Sequence, residues 1–397
     1  MENGIVEQSL DPQQVLISDP ETGPRKRLLF IVTVDWYFCS HRLALAKAAR
    51  DEGYDVAVAC RLTKHEDQIK AAGIRVIPLF WDRGGAGPVM QIRALIGLVQ
   101  ILRRERPDIC HNVALKPVVF GSAAARIAGV PKIVNAVAGL GTSFIHAGWR
   151  AGLSRTVLRY AIRCVANTKN ARFIFQNEDD LDSLAELDAV SRSRSVLIRG
   201  AGIDPKEFPA LPPPTTMPVT FALVARMLKT KGIEDAVAAS ALLSERGVAH
   251  RLLLCGGSDP ADRSSLSDEE LAHINGTDAV QWLGPVTDVR NIWAQADVAL
   301  QPSRGREGLP KSLLEAAACG RPMIATDVPG CREIARQDVT GFLVPERTPA
   351  DLADAMERLI LDRALRLRLG EGARSAVERE FSSERVHRDT LAVYRMA

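Results

Sequence analysis

Residues 303–330 read SRGREGLPKSLLEAAACGRPMIATDVPG, and their reading decides the fold of the chain around them. Pro310 suits the first position of a helix, where its missing N–H leaves no bond unmade. Leu313, Leu314 and Ala316 to Ala318 then supply an apolar helix face, and Gly320 closes it with Pro322 just beyond. The apolar run Met323–Thr326 reads as a short buried strand, so the stretch is a turn, a helix and a strand in succession. A helix start carries unpaired N–H groups and a partial positive charge, which attract phosphate. Glu307 stands just before that start, and Glu315 falls roughly 7.5 Å along the helix. An anion seat with a carboxylate on either side suits a ligand that is phosphate in the middle and hydroxyl-rich at both ends. A nucleotide sugar has that form.

The same rhythm runs outward in both directions. From Arg27 onward, Leu28–Val34, Asp55–Cys60, Arg75–Leu79, Asp108–His111, Lys132–Val137 and Arg172–Phe175 have strand character. Between them His41–Asp51, Glu66–Ala72, Val89–Arg104, Pro117–Ala128 and Trp149–Thr168 have helical spacing. The alternation restarts at Thr220–Ala225 and continues through Arg251–Cys255, Val280–Leu283, Val298–Gln301, Met323–Thr326 and Gly341–Val344. Short buried strands alternating with helices predict an α/β fold of parallel sheets covered on both faces. Phe208–Pro218 carries Pro209, Pro212, Pro213, Pro214 and Pro218, a stiff stretch that reads as a boundary. The predicted organisation is a disordered tail over 1–24, a first domain over 25–208 and a linker over 209–218. A second domain follows over 219–380, and a last helix over 381–397 crosses back onto the first. Two doubly wound domains in series put their ligand sites at the carboxyl ends of the strands, facing each other across a cleft.

Composition sets the class. With 397 residues, 46% apolar and 25% charged, the chain matches a soluble enzyme of two or three domains. Its seven cysteines form no CxxC pair and are predicted to be buried, reduced thiols in a reducing compartment. Residues 1–24 hold five acids and no Lys or Arg, the opposite of a signal peptide. No apolar run approaches the roughly 18 residues of a membrane span. Residues 25–200 carry 27 Lys/Arg against 15 Asp/Glu, while 201–397 carry 24 against 28. Ile109–Asn177 has nine basic residues and no acid, so the first half is expected to face something anionic. Arg155, Arg159 and Arg163 recur at helical spacing, with Arg150 and Lys169 nearby and apolar faces from Trp149, Leu153, Val157, Leu158, Ile162 and Val165. Such a basic amphipathic helix suits the anionic inner leaflet. Aromatics make up 5% of the chain and do not interleave with these cations, so no nucleic-acid partner is expected.

In the second half, Arg226 and Lys231 flank the turn after its first strand. A planar fork and a point charge together neutralise a diphosphate leaving group. Gly256 and Gly257, after the next strand, would let backbone approach a ligand, although a tight turn explains them equally well. Leu283 sits where backbone groups could hold a base, with a core strand as the other reading.

From about Arg27 to its C-terminus the chain resembles glycosyltransferase family four, retaining enzymes of the GT-B fold in which two Rossmann-like domains face across a cleft. The Glu-x7-Glu motif formed by Glu307 and Glu315 is the most specific part, reinforced by Arg226 and Lys231. The resemblance implies that Glu307 contacts hydroxyls of the transferred sugar and Glu315 the ribose. It assigns the diphosphate to Arg226, Lys231 and the amides of Gly308, Leu309 and Lys311. Trp36, Ser40-His41-Arg42, His111, Lys116-Pro117 and Gly139-Leu140-Gly141 resemble the subgroup of α-1,3-N-acetylgalactosaminyltransferases that extend undecaprenyl-diphosphate-linked sugars. His41, His111, Lys116 and Gly141 are accordingly placed on the acceptor or donor-sugar side. Two departures stand out: the loop Val34–Cys39 has no glycine, and His111-Asn112-Val113 replaces the family's His-x-His.

The resulting expectation is a retaining, metal-independent hexosyltransferase. It moves a hexose or N-acetylhexosamine from a UDP-sugar, with no further cofactor, to a lipid-diphosphate-linked saccharide in surface polysaccharide or glycan assembly. It would be cytoplasmic and peripheral on the inner face of the plasma membrane. An epimerase on the same architecture would leave the basic helix unexplained. A non-catalytic membrane-docking protein has no need of Glu307, Glu315, Arg226 and Lys231 together.

Overall fold

The computed structural model describes residues 25–81, 87–140, 156–215, 217–260, 262, 264–275, 279–305 and 307–396. The expected tail over 1–24 lies outside the described residues. Seven strands form a first sheet: β1 (Arg27–Val34), β2 (Asp55–Arg61), β3 (Arg75–Pro78), β4 (Ile109–Val113), β5 (Lys132–Val137), β6 (Ala171–Phe175) and β7 (Ser195–Leu197). Their order is β3-β2-β1-β4-β5-β6-β7, and every pairing is parallel. The second sheet holds β8 (Val219–Val224), β9 (His250–Cys255), β10 (Val280–Trp282), β11 (Val298–Gln301), β12 (Met323–Thr326) and β13 (Gly341–Val344). It is also parallel, in the order β10-β9-β8-β11-β12-β13. The expected α/β architecture of two doubly wound sheets is what the chain adopts.

Both sheets reverse direction beside their first strand, between β1 and β4 and between β8 and β11. Loops leaving the carboxyl ends of strands at such a switch point diverge to opposite faces and open a crevice. That rule singles out four connections: those after β1, β4, β8 and β11. They contain His41, Lys116, Arg226 with Lys231, and Glu307.

The central strands β1, β2, β4, β5, β8, β11 and β12 are buried on both faces over most of their length, which is why they read as nearly unbroken apolar runs. One face of the first sheet packs Leu28, Phe30 and Val32 under the helices Asp35–His41 and Leu43–Asp51 and the last helix, Ser383–Arg395. The other packs Leu29 and Ile31 under the helices Pro88–Glu105 and Leu115–Ala128. The last helix reaches the first sheet after a backbone exchange in which Ile203 N donates to Phe381 O and Ser383 N to Ile203 O, at 3.0 and 2.9 Å. There Lys132 Nζ donates to Tyr394 O at 2.9 Å, and Arg395 pairs with Glu52.

The structure differs from the sequence reading in several places. The Val34–Cys39 stretch is no loop, because a helix begins at Asp35 directly after β1. The Asp35 carboxylate is buried and accepts from Trp36 N, Thr63 N, Thr63 Oγ1 and His65 N, which ties the helix start to the chain after β2. The helix Glu178–Glu186 and the short strand β7 were not foreseen, the strand having only three residues to signal it. The basic helix expected from Trp149 is described only from Thr156, and it ends in a π-turn at Ile162–Ala166. Of seven free thiols five are buried, Cys39 is half-buried and Cys164 is exposed.

Candidate functional site

The helix after β11 spans Lys311–Ala318, with Pro310 as its cap in extended backbone (φ −64°, ψ 119°). It therefore starts one residue later than Pro310's ring suggested, so that Lys311 offers the first helical N–H. Leu313, Leu314 and Ala316 to Ala318 are buried, as an apolar face requires.

Glu307 is fixed from several sides. Lys231 Nζ lies 2.6 Å from its Oε1, and Ser303 Oγ donates to the same oxygen at 2.8 Å. Behind Ser303 stands Gln301, whose Nε2 donates to Ser303 Oγ at 2.7 Å while its Oε1 accepts from Ser312 Oγ at 3.1 Å. Ser303 and Gln301 are buried, so this relay is shielded from water. Neither was singled out from the sequence; a polar pair ending an apolar strand was the available signal. Lys231 reaches Glu307 because Gly232 turns at φ +70° against Pro302, where a Cβ would sit 1.8 Å from the carbonyl oxygen. The Glu307–Gly308 turn is seated on Gly330, where a Cβ would lie 1.6 Å from Gly308 O.

Arg226 donates to Asp259 at 2.7 Å and lies 3.5 Å from Asp262, a pairing of neighbouring loops that sequence spacing did not reveal. Glu315 is buried, with Lys311 Nζ 3.5 Å from its Oε1. Burial pushes its carboxyl above the usual range, against the pull of Lys311. Gly256 needs its freedom for the protein's own backbone: a Cβ there would meet Ala225 O at 1.7 Å. Gly257 O accepts from Met227 N at 3.0 Å, and Leu283 N donates to Leu254 O at 2.9 Å.

The first domain closes on the same turn. Leu309 N, expected among the phosphate donors, donates here to the buried Gln176 Oε1 at 3.0 Å. A Cβ on Gly308 would lie 2.5 Å from Gln176 Oε1, and one on Gly139 (φ +104°) 2.9 Å from Gly308 N. Two glycines thus let the domains meet backbone to backbone. Ser40 Oγ is 3.5 Å from Lys311 Nζ. His41 stacks on Tyr37 at 4.2 Å between ring centroids, and its pKa is lowered to about 3 by burial and then by Arg42, Lys311 and Lys231. An imidazole that feels both Lys311 and Lys231 stands over the helix start, and it is neutral near pH 7.

His111 lines a small cavity with Arg42, Gln176 and Gly200, behind the Leu309 turn, and its Nε2 has no hydrogen-bond partner among the described residues. It is buried, its Nδ1 lies 2.5 Å from Tyr394 Oη, and its ring packs on Phe30 at 5.0 Å. The crossing helix thus supplies a buried hydroxyl partner for Nδ1. Lys116 Nζ rests over the Trp81 ring, 5.1 Å from its centroid, at the carboxyl edge of the first sheet. Gly141, with Trp149, Arg150, Leu153 and Arg155 of the expected basic helix, lies outside the described residues. Among the described residues Arg163 pairs with Asp188. No group of three His, Cys, Asp or Glu side chains among them is placed to hold a metal ion.

Comparison with known proteins agrees with the fold and the family resemblance. The profile of a family described as glycosyl transferase 4-like matches residues 27–177, and that of glycosyl transferases group 1 matches 218–362. The chain is 26% identical over 344 residues to the N,N'-diacetylbacillosaminyl-diphospho-undecaprenol alpha-1,3-N-acetylgalactosaminyltransferase of Campylobacter jejuni, covering 84% of this chain and 89% of that protein. It is 25% identical over 289 residues to the UDP-Gal:alpha-D-GlcNAc-diphosphoundecaprenol alpha-1,3-galactosyltransferase of Escherichia coli, covering 70% and 73%. Among solved structures, Anabaena HepE in complex with UDP and glucose superposes with a TM-score of 0.76 at 17% identity, over 94% of this chain and all of that one. Sucrose-phosphate synthase of Thermosynechococcus elongatus superposes at 0.75 and 20% identity, over 94% and 98%. At such identities the two structures speak for the fold alone.

Proposed function

Since the chain belongs to the group 1, family-four-like glycosyltransferases, we propose that it moves a hexose or N-acetylhexosamine from a UDP-sugar to a lipid-diphosphate-linked saccharide, with retention and without a divalent metal. The observation that carries this reading is the pairing of Glu307 with Lys231 at the start of the Lys311 helix, under a neutral His41 from the opposite domain. The two relatives named above act on undecaprenol-diphosphate sugars, which supports an acceptor of that class.

In this account the diphosphate lies against Arg226, Lys231 and the Lys311 amide. Arg226 and Lys231 trade Asp259 and Glu307 for phosphate oxygens, so binding exchanges ion pairs instead of creating new ones. As the sugar C1–oxygen bond breaks, these fixed cations and the helix start meet the charge growing on the leaving phosphate. The acceptor hydroxyl forms its bond to C1 on the face being vacated, and its proton passes to the departing phosphate oxygen. Glu307 orients the sugar hydroxyls and Glu315 the ribose. His41, uncharged at working pH, hydrogen-bonds a sugar hydroxyl without adding charge. The UDP-sugar is substrate, and no further cofactor is invoked. The work is done at the cytoplasmic face of the plasma membrane, where such acceptors are extended.

The test is UDP release that depends on an added undecaprenyl-diphosphate sugar, measured with and without EDTA, with the anomeric form of the product read by NMR. Lys231→Ala and Glu307→Ala are each expected to cut turnover by at least about tenfold while the circular dichroism spectrum is unchanged. Normal rates in both variants would refute the assignment.

A further inference from the structure

The helix Pro88–Glu105 presents an apolar stripe to solvent. Val89 (63% exposed), Ile92 (59%) and Ile96 (52%) recur at three- and four-residue spacing, with Met90 (48%) beside them. Phe80, at the end of β3, is 92% exposed. Five of the twelve large apolar side chains exposed among the described residues therefore fall within Phe80–Ile96, which makes a patch and not a scatter. The inner face needs none of them: Leu98 and Leu102, with Leu95, Val99 and Ile101 packed beside them, already seat the helix on the sheet.

Charge is arranged on the same stripe. Arg93 and Arg103 lie between and beyond the apolar residues, and neither has an ion-pair partner among the described residues. Gly87–Arg104 contains no acid. Among the described residues, the nearest acids along the chain are engaged: Glu105 with Arg75 and Arg104, and Asp108 with Arg27 N. An apolar stripe set in unpaired arginines complements a surface that is hydrocarbon beneath and anionic on top. A protein partner of matching acidic character would satisfy the arginines but would not call for so wide an apolar face.

Direction in the fold adds the last step. The helix runs back from the carboxyl edge of the first sheet, so its apolar first half, with Arg93 in it, lies at the cleft end of the domain and Arg103 at the far end. Trp81, next to Phe80, carries Lys116 on its ring at that edge. We infer that the exposed face of the Pro88–Glu105 helix, with Phe80, is the surface by which this protein lies on an anionic phospholipid bilayer, apolar half inserted and Lys116 turned to the lipid-borne acceptor. The orientation rests on the transferase reading, whereas the binding does not. This surface differs from the arginine stripe expected near Arg155–Arg163.

Sedimentation of the full-length chain with vesicles, without substrate, tests it. Vesicles of phosphatidylglycerol and phosphatidylcholine in equal parts are expected to bind the chain, and pure phosphatidylcholine to bind it at least about tenfold less. Ile92→Glu with Ile96→Glu, and separately Arg93→Glu with Arg103→Glu, are each expected to lower the partition coefficient at least about tenfold with an unchanged melting midpoint. UDP release from a detergent-dispersed acceptor should survive both pairs, which separates failure of docking from failure of the transferase reading. Wild-type-like vesicle binding by both double variants would overturn the inference. So would a dimer in analytical ultracentrifugation that Ile92→Glu with Ile96→Glu dissolves, because the patch would then serve a second copy of the chain.

Discussion

Glu315 is a carboxylate held where burial disfavours its charge, with Lys311 as its one cation. Its folded-state pKa lies above the ordinary 4.5, so the folded protein keeps the proton to higher pH than the unfolded chain does. Stability therefore falls as pH rises through the interval between those two values, and stays lower above it. The ionised form accepts ribose hydroxyl bonds more strongly and without a competing O–H donor, so UDP affinity should rise over that same interval. Glu315→Gln is expected to weaken UDP binding about tenfold, by calorimetry at pH 7.5, while the melting midpoint holds or rises. A fall in both would make Glu315 a packing residue. Ser303 behaves differently. Ser303→Ala removes the donor to Glu307 Oε1 and leaves Gln301 Nε2 without its buried acceptor, a loss of about 1–3 kcal/mol. Turnover should drop several-fold with the KM for the donor little changed, because once Lys231 has turned to the phosphates Ser303 is the donor left to orient Glu307; an unaltered kcat would show that the relay positions nothing.

At the scale of elements, the turn between β11 and its helix is shaped by glycines on three sides. Gly330→Ala places a Cβ 1.6 Å from Gly308 O in backbone at φ +85°, so the turn bearing Glu307 must move. A displacement of about 1 Å at a reacting group costs on the order of a hundredfold in rate, and that loss in kcat is the expected reading. Full activity would mean that the turn is not the chemical centre. The same elements show what a sequence conveys. Periodicity gave the strand and helix of 298–318, the carboxylate spacing and the two cations, because these are local. It could not give Leu309 N donating to Gln176, or Arg226 meeting Asp259, because both join segments far apart in the chain. A glycine-free stretch after β1 looked like a loop, and the bonds that make it a helix run from Asp35 to Thr63 and His65.

For the whole molecule, the crossing of the last helix fixes one nitrogen of His111. His111 is the central residue of β4, and Tyr394 from the far end of the sequence meets its Nδ1. Nothing near His111 in the chain announces that. Tyr394→Phe is expected to leave the Nδ1 of His111 buried and unpaired, at about 1–3 kcal/mol, seen as earlier urea unfolding of the first domain with turnover preserved. Loss of turnover without loss of stability would show that His111 serves the site. The two domains meet at Gly139, Gln176 and Gly308, so donor and acceptor surfaces share one rim, and the apolar helix of the first domain opens from that rim.

The central claim is that a pyrophosphate rests at the start of the Lys311 helix between Arg226 and Lys231. A crystal structure of the full chain with UDP tests it most directly. The account predicts phosphate oxygens within about 3 Å of the Lys311 amide, Lys231 Nζ and the Arg226 guanidinium, with the ribose on Glu315. UDP bound elsewhere, with Lys231 still on Glu307 and Arg226 still on Asp259, would contradict it.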